Sequence, residues 1–116
     1  MINKEKKRAR FLRDPLPVRL AGLAADLARV ASSARHPTGA DSVAVMLEES
    51  QYFIEWTAAE TEPKIAAELV EIQRMIALWR KAWPEAQQHP SQRILLSLQA
   101  KKWSDQVLEY SGLPNK

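Results

Sequence analysis

IAAELVEIQRMIALWRKAW, residues 65–83, is the stretch whose reading decides the fold. Its large apolar side chains fall at Ile65, Leu69, Ile72, Ile76, Trp79 and Trp83. The steps alternate four and three, the 3.5-residue spacing of helices packed nearly parallel or antiparallel. Glu68 and Glu71 lie early and Arg80 and Lys81 late, which suits the helix macrodipole. Pro63 fits the first turn of a helix, where a missing N–H costs nothing. Pro84 biases Trp83 away from helical geometry. The spacing predicts a helix over residues 63–83.

The same rhythm recurs on both sides. Leu16, Leu20, Leu23, Leu27, Val30 and Ala34 predict a helix over residues 16–35, filled out by alanines that permit close approach of a neighbour. Gly22 costs about 1 kcal/mol there against Ala, unless close packing uses it. Leu96, Ala100, Trp103, Val107 and Tyr110 predict a helix over residues 91–111, with Ile94, Leu95 and Leu98 widening its core face. Gly112 suits a left-handed cap, and Pro114 a stop. Residues 41–59 form a broader, less regular helix: Val43, Leu47, Ser50 and Ile54 make one seam, and Met46 and Phe53 a second. Thr38 with Asp41, or Asp41 alone, is its expected cap. Ser50 in mid-core is expected to bond back to a carbonyl four residues earlier.

These four helices are each ~30 Å long. Their connections are short, so neighbours are expected to be antiparallel. The expected fold is all-α: a single up-down-up-down four-helix bundle over residues 15–113, preceded by a basic flexible arm over residues 1–14. Pro15 and Pro17 separate arm from bundle.

Composition narrows the class. A chain of 116 residues suits one domain. Three glycines argue against an all-β fold with many tight turns. No apolar run approaches the ~18 residues of a membrane span. The basic start lacks the apolar segment of a secretory signal. No cysteine means no disulfide and no thiolate ligand, which fits a cytoplasmic location. The formal charge of +3 conceals an asymmetry. Over residues 1–13, Lys4, Lys6, Lys7, Arg8, Arg10 and Arg13 face only Glu5. Residues 36–63 hold no Lys or Arg but carry Asp41, Glu48, Glu49, Glu55, Glu60 and Glu62. An ordinary solvated acidic face is the expected reading of that strip; the alternative is that the arm folds back on it.

Candidate sites follow from these residues. The six arm cations are candidates for sequence-blind, salt-sensitive phosphate contacts. Phe11 and Leu12 offer a poor membrane anchor. Met46, Tyr52 and Trp56 form a stripe suited to a partner surface, since aromatics and Met are enriched at interface cores. His36 and His89 each precede a proline between two helices, at the same end of an up-down bundle, and two imidazoles are a candidate metal or acid–base pair. No Glu-x-x-His occurs, which excludes a ferritin-like di-iron site. Glu68-x-x-Glu71 is similar to one half of the metal motif of the all-α nucleotide pyrophosphohydrolases. That family adds a downstream Glu-x-x-Asp, absent here, so the two carboxylates read as a solvated face.

Arg29 and His36 form an Arg-x6-His that resembles the signature of the HEPN all-α RNases. The resemblance covers eight residues and follows the first predicted helix, whereas that family carries its motif later. It implies an arginine that steadies a phosphate and a histidine that handles a proton. No other catalytic constellation and no cofactor site is evident. The favoured reading is a non-enzymatic helical module that binds another protein or itself. The alternatives are a nucleic-acid-associated protein using the arm, and an HEPN-like RNase or metal-dependent enzyme using His36.

Overall fold

Five helices, rather than four and an arm, make up the chain in a computed structural model that describes residues 3–113. They are α1 (Lys4–Leu12), α2 (Leu16–Ala34), α3 (Ala40–Thr57), α4 (Pro63–Ala86) and α5 (Pro90–Ser111). Short 3₁₀ turns, Pro37–Gly39 and Ala58–Glu60, lead into α3 and out of it. No strand occurs among the described residues, and the radius of gyration is 13.8 Å. Pro114, the expected stop, lies outside the described residues.

The small side chains of α2 set its neighbours. α2 lies closest to α5, then to α3, whereas α4 and α5 approach each other least among successive long helices. Ala24 and Ala31 let the α5 backbone come near. Ser104 Oγ donates to the Ala24 carbonyl at 2.7 Å, and Ser97 Oγ to the Ala31 carbonyl at 2.6 Å. Since 24 meets 104 and 31 meets 97, the two helices are antiparallel. Between α3 and α4, Trp83 Nε1 donates to the Ala40 carbonyl at 3.0 Å and Gln73 Nε2 to the Gln51 carbonyl at 3.1 Å. That pair is antiparallel too.

The seam of residues 65–83 faces inward as expected. Leu69, Ile72, Ile76, Trp79 and Trp83 are buried, and Ile65 packs at the edge. Opposite them, Leu20, Leu23, Leu27 and Val30 of α2, Val43, Leu47 and Ile54 of α3, and Leu96, Trp103 and Val107 of α5 close the core. Fully burying a side chain of this size contributes about 1.5–3 kcal/mol before chain entropy is counted.

Several boundaries differ from expectation for identifiable reasons. α4 runs through Pro84 to Ala86, because Gln87 N–H still bonds the Trp83 carbonyl at 2.9 Å. Proline removes one hydrogen bond in the last turn, and buried Trp83 and Ala86 hold that turn in place. α3 starts without a side-chain cap; neither Thr38 nor Asp41 serves. The 3₁₀ turn takes that role, and a Cβ on Gly39 would collide with the Ser33 carbonyl oxygen. Ser50 Oγ makes no hydrogen bond to a carbonyl. Gly22 faces open space, so close packing does not use it. Gly112 takes the left-handed cap conformation, φ 73°.

Candidate functional site

The expected flexible arm is a helix that lies on α3. Asn3 caps it, its side chain accepting from Lys6 N–H at 3.2 Å. Glu5 in the first turn and Arg10 in the last favour the macrodipole. One face of α1 carries Lys4, Lys7 and Phe11. The Phe11 ring stacks on Phe53 at 4.1 Å between centroids and tilts against Trp56 at 5.9 Å. Lys4 Nζ sits 5.0 Å from the Tyr52 ring centroid, and Lys7 Nζ pairs with Glu49. Met46, Tyr52 and Trp56, the expected partner stripe, are therefore half-buried, with Tyr52 stacked on Trp56 and α1 against both. The sequence offered one cue to this docking, an aromatic residue seven positions after Lys4 on the same helical face.

The acidic strip is likewise engaged. Glu49 meets Lys7 of α1, Glu60 takes a two-pronged bond from Arg19 of α2 at 2.8 Å, and Glu48 lies 3.5 Å from Arg80 of α4. Three of its six acids thus serve as struts to other helices, contrary to the expected solvated face. Asp41, Glu55 and Glu62 remain exposed.

Beneath α1 lies a feature that the sequence did not flag. Asp26 of α2 is 1% exposed, its Oδ2 has no hydrogen-bond partner, and the Glu49 carboxylate of α3 acts on it. Its other neighbour is Arg29, which pairs with Oδ1. A second carboxylate nearby disfavours ionisation of a buried one. Burial, then the Glu49 carboxylate, pushes Asp26 up to about 7. Glu49 sits below the ordinary carboxylate range: burial raises it, but the Asp26 carboxyl and the bond from Lys7 outweigh that. Lys7, Glu49, Asp26 and Arg29 thus form one chain of charges across three helices. The only sequence cue is that Asp26 follows Leu23 by three residues, on the edge of the α2 seam.

Elsewhere the expected chemistry does not converge. Arg29 is occupied by Asp26, and no hydrogen bond joins it to His36. His36 is exposed at the start of the 3₁₀ turn after α2. His89 opens α5 and lies 3.4 Å from Glu85. No hydrogen bond links the two histidines. Among the described residues, no group of three His, Cys, Asp or Glu side chains is placed to hold a metal. Glu71 pairs with Arg74, while Glu68 accepts from the Tyr110 hydroxyl; burial and that carboxylate push Tyr110 up to about 12. Among the described residues, no helix is long and apolar enough to cross a membrane.

The surface does carry apolar ground. Ile94, Leu95 and Leu98, expected to widen the core face of α5, point outward instead, at 47%, 43% and 63% exposure. Ala100 and Trp103 already fill the space facing α2 and α4, which leaves those three outside. Two grooves flank them. One, of about 260 Å³, lies against α4 and is lined by Met75, Leu78, Trp79, Ala82, Gln92 and Gln99. The other, of about 400 Å³, lies against α2 and includes Ala28, Ala31, Arg35, Leu98 and Lys101. Sequence reasoning missed this surface, although Ile94, Leu95, Leu96 and Leu98 span a wider arc than one core-facing stripe requires.

No family model, no curated protein and no solved structure matches the chain.

Proposed function

We propose that this chain is a non-enzymatic interaction module that binds another protein, or a second copy of itself, through the outward side of α5. In this reading α2 to α5 are the four staves of an up-down-up-down bundle, α1 is a strap across α3, and the module works in the cytoplasm. The observation that carries the proposal is the exposure of Ile94, Leu95 and Leu98 on one arc of α5, with Leu78 exposed on α4. A helix that is apolar on its outer as well as its inner side has surface left to cover. Covering each half-exposed side chain contributes roughly 1 kcal/mol. The Met46, Tyr52 and Trp56 stripe is less suited to a partner while α1 rests on it.

The test is association of the full chain, measured by sedimentation velocity and by retention of partners from its host, before and after Leu95→Glu with Leu98→Glu. Both positions are exposed, so helical content should be unchanged. The proposal expects association in the parent chain and its loss in the double variant. Association that survives both charges would contradict it.

A further inference from the structure

The docking of α1 sorts five of the six N-terminal cations into two sets. Lys4 and Lys7 share the Phe11 face and are spent on Tyr52 and Glu49. Lys6, Arg10 and Arg13 are exposed, and their spacing of four and three residues puts them on one stripe turned away from α3. Arg13 follows the last helical residue but keeps helical backbone angles, φ −69° and ψ −26°. The stripe is ~10 Å long at 1.5 Å per residue. Arg8 falls on the other flank, beside Leu12.

We infer that Lys6, Arg10 and Arg13 form a site for the phosphodiester backbone of a nucleic acid. A folded helix holds the three charges at fixed spacing, so less side-chain and backbone freedom is lost on binding than from a free arm. The remaining acids near it are accounted for. Asp14 acts on Arg19, whose Nε also bonds the Asp14 carbonyl, and Glu5 sits in the first turn where the helix dipole favours it. The exposed acids of α3 repel phosphate from the neighbouring surface and confine contact to α1. An anionic lipid surface fits less well. Phe11 is turned inward onto Phe53, and among the described residues of α1 the apolar residue beside the stripe is the small Ala9.

Three phosphate contacts predict a log–log salt slope of about −2.7 on duplex DNA, with no sequence preference. The experiment is fluorescence anisotropy of a short labelled duplex of mixed sequence, titrated with the full chain across a salt series. Lys6→Gln, Arg10→Gln and Arg13→Gln should each reduce the slope by about 1. Arg10→Lys should retain it, and Lys4→Gln and Arg8→Gln should change it by less than half as much. All these positions are exposed on α1 or just beyond it, and circular dichroism checks that the helix persists. A flat salt response overturns the inference. So does an equal loss from Lys4→Gln, or preferential binding to phosphatidylserine vesicles over the duplex.

Discussion

α2 meets its two close neighbours by opposite means. Toward α5 it presents alanines, and the contact is neutral: Ser97 and Ser104 tie the helices through the Ala31 and Ala24 carbonyls. Toward α3 and α1 it presents charge: Arg19 grips Glu60, and buried Asp26 feels the Glu49 carboxylate that pairs with Lys7. The first seam depends on shape and should ignore pH and salt. The second depends on which groups are ionised and should respond to both. One helix thus combines a seam of fixed chemistry with one that titrates.

Ala100→Leu breaks the comparison on the neutral side. Ala100 is fully buried between Ser97 and Ser104, and a larger side chain forces the helices apart. The expected loss is about 1–3 kcal/mol, read from urea unfolding, and equal at low and high salt. A loss that changes with salt would mean that the seam is not neutral.

The charged side is tested by pH. Asp26 is raised in the folded chain from an ordinary 3.8 to about 7, so folding takes up a proton between those values. Stability from that proton is complete below the unfolded value and is lost as pH rises through about 7. Glu49 is lowered, so its contribution runs the other way and is lost in acid. The two together place their joint maximum near pH 4, between the unfolded values of 3.8 and 4.5. Asp26→Asn supplies the donor without the titration. It should flatten the fall from pH 6 to pH 8, a gain of about 1–3 kcal/mol at the higher pH. An unchanged pH profile in the variant would show that Asp26 does not take up a proton on folding.

A smaller effect sharpens the comparison from outside both seams. Gly22 lies on the exposed side of α2, where a Cβ meets nothing within 4 Å. Gly22→Ala should stabilise the chain by about 1 kcal/mol, seen as a higher thermal midpoint, without altering its pH or salt response.

The core was legible because it rests on periodicity. The positions from Leu69 to Trp83 face inward as their 3.5-residue spacing requires, and the spacing of Leu20, Leu23 and Leu27 placed α2 equally well. What periodicity could not supply was the tertiary competition for each face. Ile94, Leu95 and Leu98 look like core in isolation; Ala100, Trp103 and the close approach of α2 leave them outside. Pro84 looks like a terminator, yet the burial of Trp83 and Ala86 outweighs the one hydrogen bond it removes. Phe11 looked like a stray aromatic in a basic arm. Its value lies in Phe53 and Trp56, more than forty residues away, and no local pattern announces a contact at that distance. Asp26 is harder still, because one acid among alanines reads as solvated until Glu49 is set against it.

The outward side of α5 is the surface proposed to meet a partner. A photo-crosslinking amino acid placed at Leu98, with Glu55 on exposed α3 as the control position, tests it in cells of the host. The account predicts a discrete adduct from position 98, to a second copy or to another protein, and none from position 55. No adduct from position 98, or the same adducts from both positions, would contradict it.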